Sequence, residues 1–371
     1  MTHIRKLLIV SLAISFAAMG ILFTTGGKHN AQSLYAAKIS NTIEQKIYDD
    51  LITAYPKATG RKIDQIKELR DFADNIYYVV EFLPVGYSIY DQTFNESMEI
   101  AADGISPYLN RTENLIYGGA TYYYVKSTDA KNPSVAKYSH TKLGEELIVN
   151  ATQRSAYVDY SNKMAKNVQS AIDERKQNAT RGSWQEVVEL PNRNIITGCN
   201  TYGFNYDWSP SPGNCGYVAA ALVVWYAKMQ WGVNCFAPNG FNYSLVSSIQ
   251  NGNDPGSDYV MIRDAINNYR DRRDPNHNST VSAHYWFNPN DWEVFRYIGE
   301  GKPTILFSTM ADAPHHAITL HKAERTCKQV LFVKTYWDYK LTVHYGYDTD
   351  QNNITISYHA GGIRGVTYLK P

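Results

Sequence analysis

The stretch Gly213-Asn214-Cys215-Gly216-Tyr217 opens an apolar run that extends from Val218 to Met229. Proline and glycine break the chain just before this run, as is usual where a helix begins. The pattern therefore predicts a buried helix with Cys215 in its first turn. The unpaired backbone N–H groups and the positive end of the helix dipole favour thiolate over thiol there. Thiolate is the nucleophilic form, so Cys215 is a candidate nucleophile, with a structural cysteine as the alternative.

The composition is that of an ordinary globular protein. The chain has 371 residues, of which 44% are hydrophobic and 19% charged, which is enough to form one large domain or two smaller ones. The net charge is +1, and no block of like charge occurs. These values argue against a nucleic-acid-binding protein and against a polybasic membrane-surface protein.

The N-terminus has the pattern of an export signal. Arg5 and Lys6 precede an apolar run from Leu7 to Phe23, and small residues follow it. This order predicts a secretory signal in residues 1–27 and hence a secreted or cell-surface protein. The run is close to the length of about 18 residues that spans a membrane, so an uncleaved anchor is the alternative.

The rest of the N-terminal half, residues 28–181, predicts a small α+β domain. Apolar spacing predicts one helix within residues 33–56 and a second from Ile63 to Ala73. Strands are predicted at residues 76–82 and 87–90, and a further helix at residues 159–176. No pairing of a nucleophile with a base is visible in this half. The polar stretch from Arg175 to Gly182 has the composition of an exposed linker, where proteases cut.

The second half, residues 182–371, combines helices with a sheet, which is an α+β order. After the Cys215 helix, which we expect to end near Gly232, further helices are predicted at residues 258–270 and after an N-cap at Asn288. The predicted strands lie at residues 304–307, 317–320, 330–333 with an end at 336–338, 341–347 and 354–358.

A cysteine hydrolase also needs an imidazole to exchange the proton and a group to orient that imidazole. His316 begins a predicted strand, and Asp338 ends the next one, so both could face the start of the Cys215 helix. Two other histidines are rivals. His315 faces the opposite side of the strand, because side chains alternate, and His344 lies in the following hairpin. Asp338 could equally be a turn residue.

The remaining signals predict no metal site and no cofactor. The chain lacks the H-E-x-x-H pattern, and the stretch from Asp348 to Asn353 departs from a calcium loop and is interpreted as a hairpin tip. The chain has four cysteines, too few for a disulfide framework. If Cys215 is the nucleophile, Cys199 could form a disulfide with either Cys235 or Cys327.

Several of these segments resemble papain-like cysteine peptidases of the bacteriocin-processing (double-glycine peptidase-like) group. Asn214-Cys215-Gly216 resembles the nucleophile segment of that group, and streptopain-type proteases are a more distant comparison. The segment from Ile298 to Leu306 is similar to the helix–Gly–Lys–Pro–strand segment before the catalytic histidine. His316-Ala317-Ile318 matches that histidine, and Asp338 is placed like the aspartate of the group.

The resemblance implies a papain-like α+β fold with a catalytic triad of Cys215, His316 and Asp338. The N-terminal half resembles the pro-region of secreted bacterial proteins of this kind. That likeness implies a zymogen whose own pro-domain acts as inhibitor or folding aid. A protein or peptide is the implied substrate. An amidase acting on cell-wall peptides and a decayed, surface-binding protein are the alternatives.

One departure concerns the oxyanion donor. Ser209 stands where papain-like enzymes carry a glutamine, which leaves the N–H of Cys215 with Asn205 or Asn214 as candidate donors. A second departure is Lys322, which stands where the group has a glycine after the catalytic strand.

Overall fold

The computed structural model describes residues 41–127, 135–142, 146–178, 182–201, 214–236, 240–253, 258–276, 278–308, 316–346, 352–360 and 362–371. The predicted export segment, the rival His315 and the residues Asn205 and Ser209 lie outside this set.

Seven α-helices occur within the described ranges, and one of them consists of a single turn. They are α1 Asn41–Ala54, α2 Ala151–Asn178, α3 Asn194–Thr197, α4 Cys215–Trp231, α5 Tyr243–Gln250, α6 Tyr259–Arg273 and α7 Asp291–Gly299. None of these described helices combines the length and apolar character needed to span a bilayer.

Fifteen strands are found in the same part of the chain. They are β1 Lys62–Arg70, β2 Ile76–Leu83, β3 Tyr87–Asp91, β4 Glu96–Ala101, β5 Leu115–Tyr117, β6 Tyr123–Lys126, β7 Val135–His140, β8 Glu146–Asn150, β9 Trp184–Glu189, β10 Ser282–Phe287, β11 Thr304–Ser308, β12 His316–Val330, β13 Val333–His344, β14 Ile354–Ser357 and β15 Ile363–Lys370. The fold is therefore mixed α+β, as the sequence predicts.

The strands form one sheet that joins the two halves of the sequence. Their order is β10-β15-β11-β12-β13-β14-β4-β3-β2-β1-β5-β6-β7-β8, and β9 adds to the edge of β12 beyond β11. Among the described pairs, only β1 and β5 run parallel. The halves meet where β4 pairs with β14, with Ile356 opposite Glu99. The predicted domain boundary near residue 181 stays a prediction, and the sheet continues across it.

Helix α4 is buried almost along its whole length, because its sequence is apolar on every face. It packs against β11 and β12 on one side and against α5 and α6 on the other. Gly232 ends it in the left-handed conformation (φ 67°), and its N–H bonds the carbonyl of Lys228. The predicted helix from Cys215 to about Gly232 is thus confirmed. The candidate nucleophile is its first residue and belongs to a buried cluster that includes residues of the sheet.

Two predicted elements are wrong. The predicted helix at residues 63–73 is absent: residues 63–70 belong to strand β1, because they pair with β2 and bury Lys67 against Glu81, 2.8 Å from Nζ to Oε1. Residues 330–333 are not a separate strand. Val330 ends β12 and Val333 begins β13, so they join two long strands into one hairpin.

One helix start is shifted. Asn290, rather than Asn288, caps α7, since its side chain and that of Glu293 form a capping box. The other predicted helices and strands all have counterparts, but α2 begins eight residues earlier than predicted, β12 extends ten residues beyond residue 320, and β13 covers residues 333–344 as one strand.

Candidate active site

Cys215 is the first residue of α4 and is 8% exposed. The carbonyl of Asn214 accepts the N–H of Val218 at 2.9 Å, which begins the helical hydrogen bonds at the residue before the cysteine. The thiol therefore lies in the first turn of the helix, at the positive end of the helix dipole, where negative charge is stabilised.

His316 is the first residue of β12 and pairs with Ser308 of β11. Its Nε2 lies 3.2 Å from the carbonyl oxygen of Tyr345, which follows β13. A carbonyl only accepts, so Nε2 carries the hydrogen and Nδ1 is the basic nitrogen of the neutral ring. This contact orients the imidazole and assigns its tautomer.

Tyr122 of the N-terminal half reaches the strand pair that carries His316. Its hydroxyl donates to the carbonyl of Ser308 at 3.0 Å, directly across from His316. Burial raises the pKa of Tyr122 well above its ordinary value, and negative charge on Cys215 adds to that rise. Cys215 also shares a buried cluster with Ala317, the neighbour of His316. Cys215 and the neighbour of His316 thus belong to one buried cluster, and Tyr122 of the N-terminal half reaches the same region.

The imidazoles at this site are neutral. Burial lowers the pKa of His316 to about 3, and the nearby His140 lowers it further, while the Tyr345 carbonyl acts in the opposite direction. His140 comes from the N-terminal half, where its Nε2 donates to the carbonyl of Thr121 at 2.8 Å. Burial lowers its pKa to about 4. A thiolate–imidazolium pair is therefore disfavoured while these residues remain buried.

Asp338 does not belong to this site, contrary to the sequence prediction. Its Oδ1 binds Nη2 of Arg175 at 2.8 Å, and its neighbour Trp337 pairs with Thr326. Asp338 thus lies beside Arg325, nine residues along β12 from His316, or about 30 Å at 3.3 Å per residue. The physical reason is the length of the β12–β13 hairpin, which carries Asp338 away from the start of β12.

The rival histidine is buried elsewhere in the same strand pair. His344 accepts the N–H of Gly346 on its Nδ1 at 2.9 Å, and burial lowers its pKa to about 4. His321 is a further buried histidine, which sequence reasoning did not single out. Its Nε2 donates to the carbonyl of Asn352 at 3.1 Å.

The other buried thiol near α4 has a different environment. Cys199 donates to the carbonyl of Ile195 at 3.0 Å, and burial alone raises its pKa to about 12. All four cysteines are free thiols, so neither disulfide alternative for Cys199 is formed. Cys199 is therefore an inert reference for Cys215.

Of the two candidates for a second oxyanion donor, Asn214 lies within the described residues and Asn205 does not. Asn214 is 3% exposed, and within the ranges that the structure describes neither Oδ1 nor Nδ2 has a hydrogen-bond partner. Burying an amide without hydrogen-bond partners costs free energy. Such an amide is expected where its partner is a bound substrate or intermediate. No group of three or more metal-binding side chains was found in the described segments.

Three contributors were missed at the sequence level. The Tyr345 carbonyl has no signature in a sequence, because any residue supplies a carbonyl. Tyr122 lies in a run of three tyrosines, residues 122–124, which carries no functional signature. His140 carried no pattern of its own.

Comparisons with known proteins add little at this point. No protein-family model matches the sequence, and no curated protein matches it. A structural neighbour is a fragment of prointerpain A from Prevotella intermedia in which one cysteine is replaced by alanine. The two share 12% sequence identity, and the match covers 82% of this chain and 97% of that one, with a TM-score of 0.31. A TM-score this low does not establish a shared fold.

Proposed function

We propose that this chain is the zymogen of a cysteine peptidase that acts through Cys215 and His316. The observation that supports the proposal is a histidine whose Nε2–H is held by the Tyr345 carbonyl, at the start of a strand that packs against the helix begun by Cys215. Nδ1 of that ring is then the nitrogen able to accept the thiol proton. Export through residues 1–27 and a protein or peptide substrate are parts of the same proposal.

The reaction needs only groups of this chain and water. Nδ1 of His316 takes the proton of Cys215, and the thiolate attacks the carbonyl carbon of the scissile amide. The N–H of Cys215 and Nδ2 of Asn214 stabilise the oxyanion of the tetrahedral intermediate. The imidazolium returns its proton to the leaving amine, and a water molecule, deprotonated by the same imidazole, hydrolyses the thioester. The Tyr345 carbonyl replaces Asp338 as the orienting group in this scheme.

The N-terminal half supports a zymogen rather than a mature enzyme. Tyr122 and His140 are both buried against the segment that carries His316. They cover part of this segment, and His140 adds to the lowering of the pKa of His316. Helix α2 ends at Asn178 and β9 begins at Trp184, so a cut between these elements would separate the halves of the sequence.

Self-processing of the full chain tests the proposal. Wild type, Cys215→Ala and Cys199→Ala are incubated under reducing conditions, and the products are identified by mass. We expect cleavage between residues 178 and 184 in wild type and in the matched Cys199→Ala control, and none in Cys215→Ala. Cleavage of purified Cys215→Ala at the wild-type rate would refute the role of this thiol.

A separate experiment, chemical labelling of Cys215, tests whether Tyr122 shields this thiol. A vinyl sulfone should modify Cys215 slowly in the wild-type zymogen and about ten-fold faster in Tyr122→Ala, because protection scales with local opening. Tyr124→Ala removes a neighbouring buried tyrosine and is the control, for which no acceleration is expected. Equal rates in all three proteins would contradict the covering role.

A further inference from the structure

The end of the β12–β13 hairpin carries four consecutive exposed apolar residues. Val330, Leu331, Phe332 and Val333 are 55%, 83%, 97% and 67% exposed. Three residues earlier in the same strand, Cys327 is fully buried. Single exposed apolar side chains are common on proteins, but a contiguous group of this kind marks an interaction surface. We call residues 330–333 the apex.

Basic and aromatic side chains surround the apex. Lys334 is paired with Gln329, next to the last pair of the hairpin, and Lys328 lies on the opposite strand. Nζ of Lys334 lies 5.7 Å from the ring centre of Trp184, which is 40% exposed. It also lies 3.3 Å from Oε1 of Glu186.

The local charge is positive. Residues 328–334, which include the apex, contain two lysines and no acidic side chain, and the adjoining residues 184–187 contain one glutamate. The net charge of this end is therefore +1, the same as that of the whole chain. Positive charge is concentrated where the apolar side chains project.

We infer that the apex inserts into the headgroup–acyl boundary of a bilayer that contains anionic phospholipids. Apolar side chains at the tip, with a tryptophan and lysines set back from it, match the depth profile of that boundary. The lysines lie where they reach lipid phosphates while their stems stay with the apolar layer.

The shape of the apex favours a bilayer over a protein partner. Leu331 and Phe332 are exposed on nearly all sides, because they project beyond the last paired residues, Val330 and Val333. A flat protein surface covers such a tip on one side only, whereas a fluid bilayer encloses it. The inference uses no residue of the proposed peptidase site and stands independently of it.

Hydrogen exchange of the full chain tests this inference locally, so that any membrane contact by residues 1–27 does not obscure the result. Amide exchange of residues 329–335 is measured without vesicles, with phosphatidylcholine vesicles, and with vesicles that contain one third phosphatidylglycerol. We expect exchange to slow about ten-fold with the anionic vesicles and much less with neutral ones.

Variants identify the groups responsible. Leu331→Ser with Phe332→Ser should remove the protection, and Lys328→Glu with Lys334→Glu should raise the lipid concentration for half-protection by about ten-fold or more. Leu83→Ser with Leu109→Ser removes two leucines of 49% and 48% exposure elsewhere and should leave the protection unchanged.

Two results would overturn the inference. One is unchanged exchange at the apex in the presence of anionic vesicles. The other is protection that grows with protein concentration in the absence of lipid, because it would assign the apex to contact between copies of this chain.

Discussion

The two ends of the β12–β13 hairpin have opposite environments although they belong to the same pair of strands. At its base, His316 and Tyr345 are buried against α4 and the N-terminal half. At its apex, about 45 Å along β12, Leu331 and Phe332 are almost fully in water. Position along one strand pair therefore decides whether its side chains are enclosed by the protein or lie in water.

Acidification should cause the largest change in the free energy of unfolding, because it protonates buried histidines at the base of the hairpin and around it. Four buried histidines have a pKa lowered to about 3 or 4, below the value of about 6.5 in an unfolded chain. They are His140, His316, His321 and His344. As the pH falls, these histidines take up protons in the unfolded state at a higher pH than in the folded state. The stability that is present above pH 6.5 is therefore lost.

Between about pH 6.5 and pH 5, each histidine contributes a loss of about 2 kcal/mol in the free energy of unfolding. Glu99 and Asp91, whose pKa values burial raises to about 7 and about 6, offset part of this loss. We expect a net loss of about 4 kcal/mol, measured by urea unfolding across this range. An unchanged urea midpoint would show that the histidines are not buried as described.

Replacing Glu99 by glutamine tests one of the offsetting groups. Glu99 accepts hydrogen bonds from Tyr87 and, at 2.5 Å, from Tyr123, and burial raises its pKa to about 7. Since its pKa is raised, the carboxyl stabilises the fold below about pH 4.5 and this contribution is lost as the pH rises to 7. Glu99→Gln should therefore add up to about 3 kcal/mol at pH 8 and nothing at pH 4.5. A gain that is independent of pH would contradict the burial of an ionisable group.

Asp338 lies in the middle of the hairpin, where we expect a substitution to affect stability but not the proposed activity. Asp338→Asn should leave peptidase activity unchanged and cost about 1 kcal/mol of stability, because Arg175 keeps its bond to Glu96. Asp338 has φ of 60°, which asparagine tolerates, so Asp338→Ala should cost about 1 kcal/mol more. A loss of about a hundred-fold in activity for Asp338→Asn would return this residue to the catalytic site.

Substitutions at the apex should have the smallest effect on stability. Leu331→Ser with Phe332→Ser should change the free energy of unfolding by less than about 0.5 kcal/mol, because these side chains have little to lose on unfolding. Leu341→Ser in the middle of the hairpin, where the leucine is 1% exposed, should cost about 3 kcal/mol or more. Comparable costs at both positions, measured by urea unfolding, would mean that the apex is covered in the folded protein.

Local patterns predicted the elements that depend on local physics. The apolar run after Cys215 predicts a buried helix, and Gly232 predicts its end, because burial on every face and a left-handed terminus leave direct marks in a sequence. Strand β1 was missed because its pairing with β2 overrides a spacing that also suits a helix. The hairpin turn at residues 331–332 was missed because Val, Leu and Phe are typical of strands rather than of turns.

The sequence by itself determined the candidate nucleophile, its helix, the histidine and the α+β class, since each follows from periodicity or from residue chemistry. Only the tertiary structure decided which groups meet. Strand register placed the Tyr345 carbonyl at His316, moved Asp338 to Arg175, and brought Tyr122 and His140 to the site from the N-terminal half. The physical reason is that register and sheet order depend on contacts between residues far apart in the chain, which a local pattern does not encode.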